Sequence, residues 1–185
     1  MNQVDFFKNF TRDASVGALA PTSRIGIQKT CSSIDFLKDV LLVEYGPGDG
    51  ALTHHVLPQL TQNSRYIAVE TNALFARELR KIHDPRLEVV QESAERIRTI
   101  LFERGDIKAD YIVSSIPCTF LSHGSRLAFV RNTKESLKEG GSFIVYHQYS
   151  PLMRRYLVEN FGNVQTTFVP FNIFPMFIMR SVKED

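Results

Sequence analysis

The sequence has no tryptophan, only two cysteines and little net charge. Cys31 and Cys118 are far apart and match no metal-ligand spacing, so we interpret them as free thiols in a reducing compartment. The net charge of +2 is small and its charged residues are scattered, which argues against a nucleic-acid partner. Neither a disulfide scaffold nor a cysteine-ligated metal centre is expected.

Long apolar runs are also missing. No stretch approaches the roughly 18 apolar residues that span a bilayer, and the N-terminal MNQVDFFKNF lacks the pattern of a signal peptide. We therefore expect a cytoplasmic protein that can still touch the inner face of a membrane. The length of 185 residues predicts one domain, 1–185, in which residues 1–30 form an N-terminal helical extension, a possible lid or lipid-interface segment.

From residue 40 onward, short apolar runs alternate with helical patterns such as 73–82, whose apolar residues share one face. Strict alternation predicts a parallel sheet with helices on both faces. The last two runs are joined by only four residues, 170–173, so they predict an antiparallel hairpin. The predicted strands are 40–45, 66–69, 87–91, 111–114, 142–147, 164–169 and 174–180.

Capping residues support these boundaries. Asn72 and Ser93 are suited to cap the second and third helices, and Ser150 followed by proline is typical of the start of the last helix. Gly162 lies where that helix is expected to stop. Pro58 is expected to kink or end the first helix after residue 50.

The stretch LLVEYGPGDGALTHH, residues 41–55, carries glycine at Gly46, Gly48 and Gly50 where a strand gives way to a helix. Glycines there let a ligand approach the backbone, although a tight turn would need them equally. Glu70 ends the second predicted strand just over 20 residues later, where a carboxylate can accept both hydroxyls of a ribose. The pair therefore favours a nucleoside-containing ligand.

A dinucleotide fingerprint with Ala51 as the third small residue fits the same stretch. Two observations argue against a nicotinamide enzyme. The chain leaves no separate half for nicotinamide and substrate, and a terminal hairpin does not belong to the dehydrogenase topology.

The segment 44–50, EYGPGDG, together with Glu70 and the terminal hairpin, resembles the class I S-adenosylmethionine-dependent methyltransferases over nearly all of residues 38–183. This resemblance implies a Rossmann-like α/β fold with a seven-stranded, mostly parallel sheet, a C-terminal antiparallel hairpin and helices on both faces. S-adenosylmethionine would lie across the tips of the first strands. The resemblance also implies that the chain is a methyltransferase.

The resemblance assigns roles by position. The glycines of the turn would line the methionine and ribose moieties, Glu70 would bind the ribose, and Glu44 would orient the methionine amino end. Ser93 stands where the family usually has an adenine-binding Asp, so that contact is weaker or made by backbone. The remaining assigned residues are Ala94 and Ser114 toward the cofactor, and Ser115, Pro117 and Cys118 toward the substrate.

The segment 114–118, SSIPC, replaces the amide or acid and the aromatic that adenine methylases carry. The chain is similar overall to the rRNA adenine dimethylases, but this segment makes adenine methylation doubtful. It is more similar to the bacterial phospholipid N-methyltransferases, which have segments like 17–24, 114–121 and 172–175 in the same order. That resemblance implies an amine acceptor on a phospholipid such as phosphatidylethanolamine.

A lipid acceptor is compatible with several side chains. Residues 5–12, DFFKNFTR, place aromatics on one side and basic residues on the other, as in an interfacial helix, although these Phe could equally cap the core. Tyr146 and Tyr149 lie at the sheet rim and are candidates for head-group contact, with His147 as a candidate proton acceptor. Arg154 and Arg155 on the last helix could meet a lipid phosphate, but we interpret them as a solvated face. The other four histidines are interpreted as surface or capping residues.

The sequence therefore predicts an S-adenosylmethionine-dependent N-methyltransferase that acts by SN2 transfer to a phospholipid amine. Methylation of a small-molecule amine or of rRNA by the same fold is the alternative within the enzyme class. A catalytically inactive cofactor-binding or lipid-binding module is the alternative outside it.

Overall fold

The computed structural model describes residues 22–105, 108–148, 150–170 and 174–184. They form one seven-stranded sheet with helices between the strands. The strands are β1 (Leu41–Tyr45), β2 (Arg65–Val69), β3 (Leu87–Val90), β4 (Ala109–Ser114), β5 (Leu137–Gln148), β6 (Gln165–Val169) and β7 (Met176–Val182). The α-helices are α1 (Arg24–Cys31), α2 (Ala51–Val56), α3 (Ala73–Leu79), α4 (Ile97–Phe102), α5 (His123–Glu135) and α6 (Met153–Phe161).

The strands lie in the order β3-β2-β1-β4-β5-β7-β6. Strand β1 pairs in parallel with β2 and β4, which places it at the point where the chain reverses its direction across the sheet. Strand β7 inserts between β5 and β6 and is antiparallel to both. The predicted parallel sheet with an antiparallel terminal hairpin is confirmed.

Two hydrophobic clusters cover the two faces of the sheet. Leu41, Val43 and Tyr45 of β1 belong to one cluster and Leu42 to the other, as the two-residue period of a strand requires. All five residues of β1 are buried, which is typical of a central parallel strand. Glu44 shares the face of Leu42 and is 1% exposed, so a carboxylate lies in an apolar layer.

Most predicted boundaries agree with the structure within two residues, and the exceptions have local causes. Strand β5 begins at Leu137, five residues early, because its Lys-Glu-Gly-Gly lead-in has no apolar pattern. Helix α3 ends at Leu79 and not at residue 82. Helix α6 is preceded by Leu152 as N-cap, while Ser150 accepts a hydrogen bond from the Leu152 N–H.

The other capping predictions are confirmed. Asn72 accepts hydrogen bonds from the Leu74 and Phe75 N–H groups at the start of α3. Ser93 caps a short 3-10 helix, Ala94–Arg96, and Gly162 ends α6 with a positive φ. Helix α2 stops at Val56, directly before the 3-10 helix Leu57–Gln59 that contains the proline.

Several predicted lipid-contact segments lie outside the described residues: 5–12, most of 17–24, Tyr149, and residues 172 and 173. Ser23, at the end of the second of these segments, caps α1 by accepting a hydrogen bond from the Gly26 N–H. Over the described ranges, no helix combines the length and apolar character needed to cross a membrane.

Candidate cofactor and substrate site

The carboxyl ends of the central strands meet at one edge of the sheet. Tyr45, the last residue of β1, is in register with Val69 on one side and with Ser114 on the other. Ser114 is in turn in register with Val145 of β5. The residues that follow these strands therefore surround a common crevice beside the chain reversal, where open α/β sheets bind ligands.

The glycine turn, residues 46–50, has positive φ at all three glycines: 68° at Gly46, 57° at Gly48 and 80° at Gly50. The first and third are also confined by neighbours. A Cβ at Gly46 would lie 3.2 Å from Ile116 Cγ1, and one at Gly50 would lie 2.9 Å from Leu79 Cδ2. Beside Gly48 there is open space, with no atom within 4 Å of a Cβ position. Positive φ therefore favours glycine at all three positions, and close neighbours add a second constraint at Gly46 and Gly50 but not at Gly48.

Glu70 follows β2 and lies against this turn, as the sequence predicts. Its Oε2 accepts a hydrogen bond of 3.0 Å from the Gly48 N–H, and its Oε1 accepts one of 2.9 Å from the Asn72 N–H. The side chain is largely buried, at 7% exposure. Each carboxylate oxygen has a second lone-pair site, so the carboxylate is oriented and can still accept hydroxyl groups of a ligand.

Glu44 lies beneath the turn, inside the apolar layer. Its Oε2 accepts hydrogen bonds from Thr53 Oγ1 at 2.6 Å and from the Tyr66 hydroxyl at 2.5 Å. Burial raises the pKa of Glu44 to about 7, and the nearby charges of Glu70 and Asp49 act in the same direction. The Oε1 atom is buried and has no hydrogen-bond partner among the described residues.

These features fit S-adenosylmethionine. A buried carboxylate oxygen without a partner is suited to an ammonium donor such as the methionine amino end. An oriented carboxylate beside a glycine with free space is suited to a ribose. The roles assigned to Glu44, Gly48 and Glu70 are therefore compatible with the geometry and stay predictions.

The remaining predicted cofactor residues lie around the same edge. Ser93 caps its 3-10 helix by accepting from the Glu95 N–H at 3.3 Å, and Ala94 is buried in the core. Ser114 is fully buried, and its hydroxyl accepts a hydrogen bond from the Ile116 N–H. The Ser93 hydroxyl is thus used locally, which agrees with an adenine contact made by backbone.

The loop after β4, residues 115–121, carries the predicted substrate segment and is fixed by side chains. Ser115 Oγ donates a hydrogen bond of 2.6 Å to the Gly46 carbonyl. His147 Nε2 lies 2.7 Å from the Ile116 carbonyl. Arg126 of α5 donates to the carbonyls of Cys118 and Thr119 at 2.7 and 2.9 Å. Donors from two other elements, together with the hydroxyl of Ser115 in the loop itself, thus hold this loop in place.

The imidazole of His147 is held in place by a hydrogen bond to the backbone of the loop. A carbonyl can only accept, so Nε2 must carry the proton and Nδ1 the lone pair. Nδ1 is buried and has no partner among the described residues. Burial lowers the pKa of His147, which keeps the imidazole neutral. The structure shows His147 as a fixed donor to the loop, and its predicted role as proton acceptor stays untested.

Tyr146 and Cys118 differ in their access to the crevice. Tyr146 is half-buried on the same face as Glu44, and its hydroxyl lies near Ser115. Cys118 is fully buried within the hydrophobic cluster, and burial raises the pKa of its thiol to about 12. The structure places Cys118 in the core, because its 3-10 helix turns the side chain inward, and its assignment to the substrate side stays a prediction. Pro117, beside it, is half-buried.

Sequence reasoning missed the residues that support this site. Thr53 and Tyr66 orient Glu44, and Arg126 holds the loop after β4. None of them stands in a recognisable motif. The available signal was the position of Thr53 one turn into the helix after the glycine turn, which brings its hydroxyl back toward β1.

Comparisons with known proteins agree with this geometry. No family model matches the chain. It is similar to an ornithine lipid N-methyltransferase from Singulisphaera acidiphila, with 28% identity over 97% of this chain and 98% of the relative. A solved structure of the N-methyltransferase NodS from Bradyrhizobium japonicum matches 86% of this chain and 93% of its own, with 13% identity and a TM-score of 0.69.

A third match is the 1,6-didemethyltoxoflavin N1-methyltransferase from Burkholderia thailandensis, solved with S-adenosylhomocysteine bound. It covers 98% of this chain and 87% of that one, with 16% identity and a TM-score of 0.68. The chain has the class I methyltransferase fold. The predicted enzyme class, a methyltransferase that uses S-adenosylmethionine, is confirmed by the ornithine lipid relative, while the solved structures confirm the fold.

Proposed function

We propose that this methyltransferase transfers a methyl group to the amine of a membrane lipid's head group. The observation that carries this proposal is the end-to-end similarity to an ornithine lipid N-methyltransferase. Ornithine and ethanolamine head groups both present an aliphatic amine, so the two lipid classes share the acceptor chemistry. A phosphatidylethanolamine-type phospholipid and an ornithine lipid are both substrates compatible with the proposal.

The chemistry is direct substitution. S-adenosylmethionine supplies an electrophilic methyl on a sulfonium, the amine nitrogen forms the new N–C bond, and the sulfonium S–C bond breaks. The amine must arrive unprotonated or lose a proton to a base or to water. The protein contributes alignment and exclusion of water from the crevice, neither of which needs a metal or a covalent intermediate.

Three parts of the site would share this work. Glu70 and the open side of Gly48 would hold the ribose, and Glu44 Oε1 would accept from the amino end. Tyr146, near Ser115, offers an aromatic face to the ammonium cation that forms when the amine is methylated. The loop after β4 would form the acceptor side, since Ser115 binds the turn directly.

Transfer of a radiolabelled methyl to lipid vesicles tests this function. We expect label in phosphatidylethanolamine or ornithine lipid and little in free ethanolamine. Glu70→Ala removes the charged carboxylate that would accept hydrogen bonds from two ribose hydroxyls. It should therefore weaken S-adenosylhomocysteine binding by roughly a hundredfold. Glu78→Ala, which changes an exposed carboxylate on α3, is the matched control and should bind normally.

Three results would contradict parts of the proposal. Label in a soluble amine and in neither lipid would reject the lipid acceptor while keeping the enzyme. Full binding by Glu70→Ala would reject the assigned cofactor site, and binding without any transfer would favour a cofactor-binding module.

A further inference from the structure

A basic cluster lies on the far side of the loop after β4. Two guanidinium groups converge on the Tyr156 hydroxyl: Arg126 Nη1 at 3.2 Å and Arg155 Nη2 at 2.5 Å. His123 Nδ1 lies 3.0 Å from the same hydroxyl and 3.2 Å from Arg155 Nη2. Both guanidinium groups also lie over the Tyr156 ring, at 5.7 and 4.6 Å from its centroid. The ring itself is buried in the core.

The charge of this cluster is not neutralised by carboxylates. Within the described ranges, five other arginines each form an ion pair with a Glu or Asp, and Arg126 and Arg155 form none. The five paired arginines are Arg77, Arg86, Arg96, Arg98 and Arg104. The Arg126 guanidinium, and then that of Arg155, lower the pKa of Tyr156, as expected where positive charge is in excess.

Arg155 also has N–H groups that make no hydrogen bond within the described residues. Its Nη2 is used by Tyr156 and His123, and no hydrogen bond in the described structure uses its Nε or Nη1. The residue is exposed, as is His123. A Tyr hydroxyl is a weak partner for two cations, whereas the guanidinium fork matches a phosphate or carboxylate. The arrangement is therefore an oriented pair of arginines, of which Arg155 is exposed, with no carboxylate partner among the described residues.

The position of the cluster links it to the acceptor side of the site. Arg126 donates to the Cys118 and Thr119 carbonyls of the loop whose first residue, Ser115, binds the glycine turn. The next residue, Phe120, is 73% exposed, which is unusual for a phenylalanine. The basic cluster thus contacts the loop that carries the acceptor side, and this loop also presents an exposed aromatic, a combination that suits an amphiphile.

We propose that Arg155 and Arg126, with His123, bind an oxyanion, the phosphate or carboxylate of an acceptor's head group, beside the loop that follows β4. The identity of the ligand rests on the proposed lipid function, but the site itself does not. It would hold the anionic part of a head group while the amine reaches the crevice. Arg154, the neighbouring residue on α6, makes no hydrogen bond or ion pair among the described residues and is no part of the site.

Binding to probes that cannot be methylated tests this site without cofactor. The first probe is inorganic phosphate, measured by calorimetry at constant ionic strength. The second is flotation with phosphatidylcholine vesicles that contain one-fifth phosphatidylglycerol, against phosphatidylcholine alone. Arg155→Gln should weaken binding by roughly tenfold, because it loses charged hydrogen bonds. Arg155→Lys should lose less, and the matched control Arg154→Gln should bind nearly as the wild type does.

The outcomes separate the possible sources of the anion. Loss of vesicle binding in Arg155→Gln supports a lipid head group, and loss of phosphate binding alone supports a free phosphate ligand. Equal losses in Arg154→Gln and Arg155→Gln would overturn the site in favour of diffuse surface charge. So would a lower melting temperature in Arg155→Gln with unchanged binding, since the bond to Tyr156 would then be only structural. Absence of methyl transfer, measured separately, would affect the proposed function and not this result.

Discussion

The glycine turn after β1 and the loop after β4 contact each other beside the crevice, and they are built in different ways. The turn takes its shape from backbone conformation, with three glycines at positive φ. The loop takes its shape from side-chain donors that reach its carbonyls from elsewhere in the chain, namely His147 and Arg126. One region is specified by its own residues and the other by its neighbours.

This difference matches the two tasks of a transferase, which must bind a cofactor and select an acceptor. The turn offers bare backbone and two carboxylates, Glu44 and Glu70, which are chemically general and suit a common cofactor. The loop can change with few substitutions, because its fixing residues are scattered, and this suits a part of the site that selects the acceptor. Beside each region lies a buried polar atom without a partner among the described residues. These atoms are Glu44 Oε1, just before the turn, and Nδ1 of His147, which contacts the loop.

The largest expected effect comes from the carboxylate under the turn. The folded pKa of Glu44 is about 7, above the ordinary 4.5, so the folded state binds more protons between these pH values. Stability is therefore lost as pH rises through this window, by about 3 kcal/mol at neutral pH. Glu44→Gln removes the titration, and its free energy of unfolding relative to wild type should improve by that amount from pH 4.5 to 8, as measured by urea denaturation.

Comparison with the variant at each pH is the control, because other carboxylates titrate in both proteins. The hydrogen bond with Arg86 lowers the pKa of Asp84, for example, so this residue makes the folded state more stable as pH rises. A difference between the two proteins that stays constant with pH would show that folding does not raise the pKa of Glu44.

The same division explains what could be predicted from the sequence. The positions of the strands, the terminal hairpin and the place of Glu70 follow from periodicity and from spacing along the chain, and the structure agrees. The glycine turn was recognisable because its constraint lies within five consecutive residues. The donors to the loop were not, since His147 and Arg126 reach it only through the pairing of β4 with β5 and the packing of α5. The burial of Cys118 could not be predicted either, because a sequence does not show which way a 3-10 helix turns a side chain.

The next effect concerns the loop. His147→Leu leaves the Ile116 carbonyl without its donor and should cost about 2 kcal/mol in the free energy of unfolding. Methyl transfer should fall roughly tenfold if the lost alignment costs 1.4 kcal/mol, while cofactor affinity stays unchanged because the turn is intact. Urea denaturation, kinetics and calorimetry measure the three quantities.

His147→Asn is the informative companion, since it keeps an N–H donor and cannot titrate. If His147 positions the loop, this variant recovers activity and the pH profile of kcat/KM keeps its shape. If His147 accepts the substrate proton, the acidic limb of that profile disappears in both variants and the asparagine gives no recovery.

The smallest effect tests whether the two regions act together. Ser115→Ala removes the 2.6 Å hydrogen bond from the loop to the Gly46 carbonyl and should cost about 1 kcal/mol in unfolding free energy. Combined with His147→Leu in a double-mutant cycle, it should show a coupling above about 0.5 kcal/mol, because both bonds fix adjacent residues of one loop. Additive losses would mean that Ser115 belongs to the turn, and that the division between a backbone-built and a side-chain-built region passes after Ser115.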